Sequence, residues 1–173
     1  PDGALRLGFG HVELGTITPL PQPGNPRPRV FRLPQDEAVI NRYGLNSRGM
    51  AAAEARLKAR LEARAATSAR QAGIVGVNVG ANKTSAAPTE DYRIAVGRLA
   101  RFADYITLNI SSPNTLGLRD LQTAENLRRL IAAGRSGLAD AGCERPLFVK
   151  LAPDLGPESI AAISPSVPSR CLT

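Results

Sequence analysis

The sequence predicts a parallel α/β fold, either a doubly wound sheet or a (β/α)8 barrel. Two observations support this prediction: apolar strands alternate with amphipathic helical segments, and the alternation repeats four times at spacings of roughly 30 to 40 residues. Because a helix between two strands carries the chain back to the start of the sheet, such repeats produce parallel strands. A whole barrel needs about 250 residues. A chain of 173 residues would therefore form roughly half of one.

Hydrophobic periodicity predicts the individual strands and helices of this repeat. The predicted strands cover residues 9–18, 74–79, 105–110 and 147–151, where β-branched and other apolar residues predominate. The predicted helices cover residues 49–71, 89–102, 123–141 and 157–163, which carry apolar side chains three or four positions apart. Gly142 supplies the stop signal of the third helix.

An inserted segment separates the first predicted strand from the first predicted helix. Residues 19–28 contain five prolines and show no periodicity, which predicts an irregular loop. Residues 29–33 are predicted to form a short strand. Residues 36–46, with the apolar pair Val39 and Ile40, are expected to form a turn of helix or a loop. The insertion is thus predicted to hold an irregular loop and one short strand.

Charge and aromatic content argue against a nucleic-acid partner. Lys and Arg number 22 against 15 acidic residues, which gives a formal net charge of +7. Many of the arginines are spread along predicted helices among Glu and Ala, as on solvated helix faces. Only four Phe and three Tyr are available for stacking on bases. We therefore expect no nucleic-acid partner.

Cysteine usage and hydropathy predict a soluble chain in a reducing compartment. Cys143 and Cys171 lie far apart and match neither a metal-binding nor a disulfide spacing, so no metal site is expected. No apolar run approaches the roughly 18 residues that a membrane-spanning helix requires. The first residues lack the basic region and apolar core of a signal peptide.

Polar side chains lie at the ends of all four predicted parallel strands. They are Thr16, Asn78, Asn109 and Lys150. The carboxyl ends of parallel strands meet at one edge of the sheet, so these side chains are expected to converge. Without His, Asp or Glu among them, they support neither a hydrolytic triad nor a metal site. They suit an anionic planar ligand such as a flavin or a pyrimidine, because Asn both donates and accepts, and lysine stabilises the charge of a reduced flavin.

Each of these features also has a purely structural interpretation. The Ser-Ser-Pro-Asn segment at residues 111–114 is typical of an ordinary surface turn, since Asn and Ser cap backbone amides and Pro fixes one dihedral angle. A lysine at a strand end, such as Lys150, commonly extends to solvent. The single histidine, His11, is expected to pack in or beside the first strand rather than to bind a ligand. These residues alone leave the alternatives open.

Six sequence blocks in order carry a resemblance to a known family. They are residues 8–19, 24–34, 40–46, 77–84, 109–115 and 149–154. Among them are Ile-Asn-Arg-Tyr-Gly-Leu-Asn at 40–46 and Asn-Ile-Ser-Ser-Pro-Asn-Thr at 109–115. Together the blocks span about residues 8 to 163 and resemble the class 2, quinone-dependent dihydroorotate dehydrogenases.

The resemblance implies a flavin-containing (β/α)8 barrel that oxidises dihydroorotate to orotate in de novo pyrimidine (UMP) biosynthesis. It implies FMN as the hydride acceptor and a quinone as the final electron acceptor. In this family the second serine of the Ser-Ser-Pro-Asn block, here Ser112, takes a proton from the substrate. By the same match, the residues expected to hold the orotate are Asn41, Arg42, Tyr43, Gly44, Leu45, Asn109 and Asn114. The residues expected to contact the flavin are Thr16, Asn78, Asn109 and Lys150.

Some parts of the family pattern have no counterpart in these residues. They are the first barrel strand with a substrate-binding lysine, an amphipathic N-terminal segment that reaches membrane and quinone, and the last three strands with their phosphate-binding loops. Residues 1–163 are therefore expected to form barrel strands 2 to 5, incomplete as an enzyme and prone to self-association through open sheet edges. Residues 164–173 match nothing and are expected to be disordered.

The resemblance also implies a location for the parent protein. It is expected at a membrane, either on the cytoplasmic face of the bacterial cytoplasmic membrane or at the mitochondrial inner membrane. The membrane contact would be peripheral and made by a segment outside these residues, so the chain alone is expected to be soluble.

Two other functions remain open from the sequence. The first is a related FMN barrel that acts on pyrimidines, such as that of dihydropyrimidine dehydrogenase, although Ser112 in place of cysteine argues against it. The second is a catalytically inert barrel fragment or binding module. Bound flavin with orotate-sensitive absorbance would distinguish an enzyme from an inert fragment.

Overall fold

The structure is a computed structural model that describes residues 1–67, 73–111 and 123–166. Its strands are β1 (His11–Ile17), β2 (Val30–Leu33), β3 (Ala38–Asn41), β4 (Ile74–Val79), β5 (Tyr105–Asn109) and β6 (Leu147–Lys150). Its α-helices are α1 (Asp2–Arg6), α2 (Met50–Thr67), α3 (Pro88–Leu99), α4 (Ala124–Ala141) and α5 (Pro157–Ile163). The predicted alternation of strands and helices is confirmed.

Four of the strands form one parallel sheet in the order β1-β4-β5-β6. Val77 of β4 pairs with Leu14 on one side and with Ile106 on the other. The register shifts between Leu14 and Ile17, beside Gly15, whose positive φ of 144° suits glycine. Because all four strands run in the same direction, their carboxyl ends lie along one edge of the sheet.

One face of this sheet forms the hydrophobic core with the helices. Val75, Val77 and Val79 of β4 are buried toward the helices, while Gly76 and Asn78 alternate with them and face the other side. The helices contribute buried side chains at helical spacing, among them Tyr92, Val96, Leu99, Leu127 and Leu130. Burial of these apolar side chains is the main term that stabilises the sheet and fixes its strand ends.

The inserted segment contains two strands where the sequence predicted one. Residues 36–46 were expected to form a turn of helix or a loop, and this expectation is wrong for Ala38–Asn41, which is β3. β3 pairs antiparallel with β2, so that Phe31 lies opposite Ile40. Val39 and Ile40 are β-branched and favour a strand once a partner is available, which local periodicity could not reveal.

A short N-terminal helix, α1, was not predicted. Its five residues are too few to show a helical period, and tertiary contacts hold it in place. Leu5 is buried, and the Arg60 guanidinium of α2 donates to the Asp2 carboxylate over 2.9 Å. The same Arg60 hydrogen bond lowers the pKa of Asp2.

The ends of α4 and α5 agree with the prediction, whereas α3, predicted to reach residue 102, ends at Leu99 and is followed by a 3₁₀ turn, Ala100–Phe102. α4 ends at Gly142, which adopts the left-handed conformation at φ 61° as expected of a stop signal. The predicted end of the first long helix, residues 68–71, lies outside the described residues. The segment expected to be disordered, 164–173, begins instead with a 3₁₀ turn, Ser164–Ser166, and its remaining residues are not described.

Candidate active site

A continuous chain of hydrogen-bonded side chains crosses the carboxyl ends of all four parallel strands. From β6 to β1 its members are Lys150, Ser111, Asn109, Thr16, Asn78 and Glu13. Asn78, Asn109 and Ser111 are buried, so the middle of the chain is shielded from solvent. The four residues that the sequence predicted as flavin contacts are therefore brought together.

The hydrogen-bonded chain of side chains begins at the ammonium of Lys150. The Lys150 Nζ donates to the Ser111 Oγ over 2.8 Å. The Ser111 hydroxyl donates to the Asn109 Oδ1 over 2.9 Å, and the Ser111 backbone N–H donates to the same oxygen over 3.1 Å. Asn109 thus fixes both the hydroxyl and the backbone of the first residues that follow β5.

The chain continues from the Asn109 amide to a carboxylate on β1. The Asn109 Nδ2 donates to the Thr16 Oγ1 over 2.7 Å, and the Thr16 hydroxyl donates to the Asn78 Oδ1 over 2.8 Å. The Asn78 Nδ2 then donates to the Glu13 Oε1 over 2.7 Å. The other carboxylate oxygen, Glu13 Oε2, accepts from the Thr107 hydroxyl over 2.7 Å.

A buried tyrosine holds the strand end from the core side. The Tyr92 hydroxyl of α3 donates to the backbone carbonyl of Asn109 over 2.7 Å. Burial raises the pKa of the Tyr92 phenol well above its usual value, so the hydroxyl remains a proton donor. This contact fixes the backbone from which the Asn109 side chain extends.

The sheet face opposite the helices forms an open groove below the chain of polar side chains. The groove has a volume of about 840 Å³ and is lined by residues of all four strands, including His11, Glu13, Tyr105, Phe148 and Lys150. The Tyr105 and Phe148 rings meet edge to face with centroids 5.4 Å apart. Burial raises the pKa of Tyr105, and the nearby Glu13 carboxylate adds to this shift. His11 is the first residue of β1, as one of the two expected placements has it, but its side chain is exposed and does not pack into the core.

The predicted substrate segment, residues 41–45, lies partly at the same strand ends. A Cβ at Gly80 would lie 3.4 Å from the Leu45 Cδ1 and 2.7 Å from the Thr16 Cγ2, which places Leu45 beside Thr16. Gly44 and Leu45 both have positive φ angles, 70° and 53°, and the Gln22 Nε2 donates to the Leu45 carbonyl over 2.7 Å. Leu45 is thus held at the site.

The other residues of that segment are engaged within the insertion. The Arg42 guanidinium donates to the Pro28 carbonyl over 2.9 and 3.0 Å, and Arg29 lies over the Tyr43 ring at 5.6 Å. Asn41, at the end of β3, is exposed. Two predicted site residues, Ser112 and Asn114, lie outside the described residues.

Four polar residues at or near the site were not predicted from the sequence: Glu13, Gln22, Thr107 and Ser111. The order of the strands selects side chains at strand ends, whereas Glu13 and Thr107 lie within strands. Thr107 is two residues before Asn109 and so points to the same face of β5, a signal that strand periodicity offers. Glu13 is the one acidic residue of β1, a signal that could have marked it as a candidate.

The fold and the site together define a class of protein. Parallel strand-helix units whose polar side chains gather at the carboxyl ends of the strands are typical of α/β ligand-binding and enzyme domains. A sequence profile for the family described as "Dihydroorotate dehydrogenase" matches residues 2–170. The chain belongs to the dihydroorotate dehydrogenase family.

Individual relatives agree with this family assignment. A protein of Mesorhizobium japonicum named dihydroorotate dehydrogenase (quinone) is 56% identical over 155 residues, which are 90% of this chain and 41% of that protein. A protein of the same name from Rhodospirillum rubrum is 50% identical over 166 residues, 94% of this chain and 42% of that protein. The chain thus spans less than half the length of these relatives.

A solved structure also matches the fold. The crystal structure of DHODH from Eimeria tenella in complex with ferulenol superposes with a TM-score of 0.89 and is 42% identical in sequence. The match covers 96% of this chain and 49% of that one. The parallel α/β architecture is therefore shared with a solved member of the family.

Proposed function

We propose that this chain forms part of the FMN and substrate site of a quinone-dependent dihydroorotate dehydrogenase. The reaction is the oxidation of dihydroorotate to orotate in pyrimidine biosynthesis, with a quinone as the final electron acceptor. The observation that supports this proposal best is the convergence of Thr16, Asn78, Asn109 and Lys150 in one hydrogen-bonded chain. Family membership supports the same conclusion.

The donors at these strand ends fit a flavin. Among the described residues Lys150 makes one hydrogen bond, so two N–H groups of its ammonium remain for a ligand. Asn78 and Asn109 each use one amide N–H within the hydrogen-bonded chain of side chains, and each has a second N–H. A row of N–H donors with one cation matches the carbonyl oxygens and ring nitrogens of an electron-accepting ring that becomes anionic on reduction. Bound FMN would supply the two-electron acceptor that none of these side chains can provide.

The substrate is proposed to lie beside the flavin-binding residues. Residues 41–45, with Asn109 and Asn114, would hold the orotate ring through hydrogen bonds to its carboxylate and amides. Ser112 would take a proton from the substrate as a general base. Ser111, the residue before it in the sequence, has its backbone N–H and its hydroxyl both bound by Asn109. Asn109 therefore serves the flavin and the substrate together.

The whole fold is proposed to be a (β/α)8 barrel of which this chain supplies strands 2 to 5. The sheet supports this proposal because its outer strands, β1 and β6, each pair on one side only within the described residues. Contact with a membrane and its quinone pool is proposed for the parent protein. No helix of the described part of the chain is long and apolar enough to span a membrane.

The experiment that tests this function uses the intact protein loaded with FMN. Anaerobic mixing with dihydroorotate is expected to bleach the flavin absorbance, and orotate is expected to perturb the spectrum of the oxidised protein. The Ser112→Ala variant should retain FMN but lose about 10²- to 10⁴-fold in the rate of bleaching at neutral pH, as expected for a lost general base. Ser136→Ala, an identical change at an exposed position of α4, is the matched control.

Three results would contradict the proposed function. The intact protein could fail to bind FMN, dihydroorotate could fail to reduce it, or Ser112→Ala could bleach at the rate of the Ser136→Ala control. Reduction by a different pyrimidine and not by dihydroorotate would instead identify a related FMN barrel.

A further inference from the structure

We propose that Glu13 is a positioning residue that holds the Asn78 amide in one orientation, and that Glu13 and the donors at the Lys150 end together fix the direction of the strand-end chain. Glu13 lies on β1, on the sheet face opposite the helices, and is not among the residues proposed to touch flavin or substrate. Its effect on flavin binding rests on the proposed function, whereas its effect on the side-chain amides does not.

The argument begins with the carboxylate itself. An ionised carboxylate can only accept hydrogen bonds. Both oxygens of Glu13 are engaged at 2.7 Å, one by the Asn78 amide and one by the Thr107 hydroxyl. Because the partner of Glu13 must be a donor, the Nδ2 of Asn78 has to face Glu13. The Oδ1 of Asn78 is therefore turned toward Thr16.

The orientation of Asn78 then determines its neighbours. A hydroxyl carries a single hydrogen, and the Thr16 hydroxyl uses its own to donate to the Asn78 Oδ1. The Thr16 oxygen can therefore only accept from Asn109, whose Nδ2 donates to it. The Oδ1 of Asn109 is left to accept from the Ser111 hydroxyl.

The opposite end of the chain enforces the same direction. The ammonium of Lys150 can only donate, and it donates to Ser111, whose single hydrogen points to Asn109. All bonds thus run from the cation on β6 to the anion on β1. An acceptor-only end and a donor-only end together leave one arrangement for the two amides between them.

This arrangement has a consequence for a bound flavin. With both amides fixed, Asn78 and Asn109 each keep an N–H group that is not used within the hydrogen-bonded chain and can donate to a ligand. If Asn78 were free to rotate, its oxygen could replace a donor at the site and repel the negative charge of a reduced flavin. Glutamine has nearly the same shape as glutamate but can also donate, so it does not force Asn78 into one orientation.

The test compares Glu13→Gln with the wild type in the intact protein. Glu13→Gln should weaken FMN binding by about tenfold, comparable to one lost hydrogen bond. In the flavin-free protein, the NMR signal of the Asn78 side-chain amide should lose its protection from solvent exchange, whereas that of Asn109 should keep it, because the Ser111 backbone N–H also binds the Asn109 Oδ1.

A matched control removes charge without touching the chain. Glu62→Gln on α2 changes a carboxylate whose side chain is 66% exposed and should alter neither the FMN affinity nor the protection of the amides.

The outcomes separate this inference from the proposed function. If the wild type binds FMN and Glu13→Gln matches it in affinity and in amide protection, Glu13 does not position the strand-end chain. If the Asn109 amide loses its protection together with that of Asn78, the donors at the Lys150 end do not fix Asn109 and the two-ended arrangement is wrong. If the wild type binds no FMN but Glu13→Gln changes the amide protection as expected, the proposed function fails and the role of Glu13 stands.

Discussion

At the scale of single residues, the site depends on polar groups that the core holds in place. Tyr92 illustrates this because it is fully buried under the sheet, yet its hydroxyl donates to the Asn109 carbonyl at the strand end. A buried carbonyl that loses such a donor keeps the cost of its own desolvation. Tyr92 therefore connects the stability of the core to the geometry of Asn109.

We expect Tyr92→Phe to reduce the free energy of unfolding by about 1–2 kcal/mol, because the ring still fills its place while the hydrogen bond is lost. Urea denaturation measures this change. Tyr43→Phe, at a tyrosine whose exposed fraction is 43%, is the control and should leave the stability unchanged. Equal stabilities for the two variants would refute a structural role for the Tyr92 hydroxyl.

The same variant gives a prediction about pH. Burial raises the folded-state pKa of Tyr92 above the value of about 10 that it has in an unfolded chain. The stability linked to this phenol is therefore complete below about pH 10 and is lost as the pH rises further. We expect the stability of Tyr92→Phe to fall less steeply than that of the wild type above about pH 10, measured by urea denaturation across that range.

Sequence reasoning found the strand-end members of this chain better than the members that lie elsewhere. Thr16, Asn78, Asn109 and Lys150 were predicted as a group because each lies at the end of a strand. Glu13 and Thr107 were missed because their roles depend on partners in other strands, and such partners are invisible in a single sequence. The Ser111 role was hidden for the same reason, since its partner Lys150 lies 39 residues away.

At the scale of secondary structure, the close contact between α3 and α4 keeps the core compact behind the sheet. Glycines allow the approach: a Cβ at Gly137 would lie 2.6 Å from the Arg93 carbonyl oxygen and 2.8 Å from the Val96 Cβ. A Cβ at Gly97 would lie no closer than 3.5 Å to its neighbours, an ordinary contact distance. The two glycines of one contact therefore differ in how much space they require.

We expect Gly137→Ala to reduce the free energy of unfolding by about 1–3 kcal/mol, because the added methyl group would overlap backbone atoms of α3. Gly97→Ala should be neutral or stabilising by up to about 1 kcal/mol, since alanine favours a helix and the space is available. Thermal or urea unfolding of both variants measures the difference. Similar effects for the two substitutions would contradict the packing described here.

Elements with a strong local signal were predicted well, and elements that depend on a partner were not. The β-branched run 74–79 and the capped helix α4 carry their structure in their own residues. β3 forms only because β2 lies beside it, and α1 is held by Arg60 and the burial of Leu5. Neither kind of contact is encoded in local periodicity.

At the scale of the whole molecule, the two faces of the sheet differ. One face is covered by helices, while the other carries the groove and exposes Ile74 and Phe148 by 50% and 46% of their surfaces. Apolar side chains exposed on a sheet face usually mark a surface that packs against further structure. The proposed closed barrel would cover this face and exclude water from the side of the strand ends where FMN is proposed to bind.

The central claim is that side chains from separate strands form one FMN site. It is tested most directly by the FMN dissociation constants of the intact wild type, Asn78→Ala, Lys150→Ala and the double variant. Each single change should weaken FMN binding by about tenfold or more. The loss of binding free energy in the double variant should differ from the sum of the losses in the two single variants, because the residues act within one hydrogen-bonded chain. Unchanged affinity in either single variant, or strict additivity, would contradict a shared site.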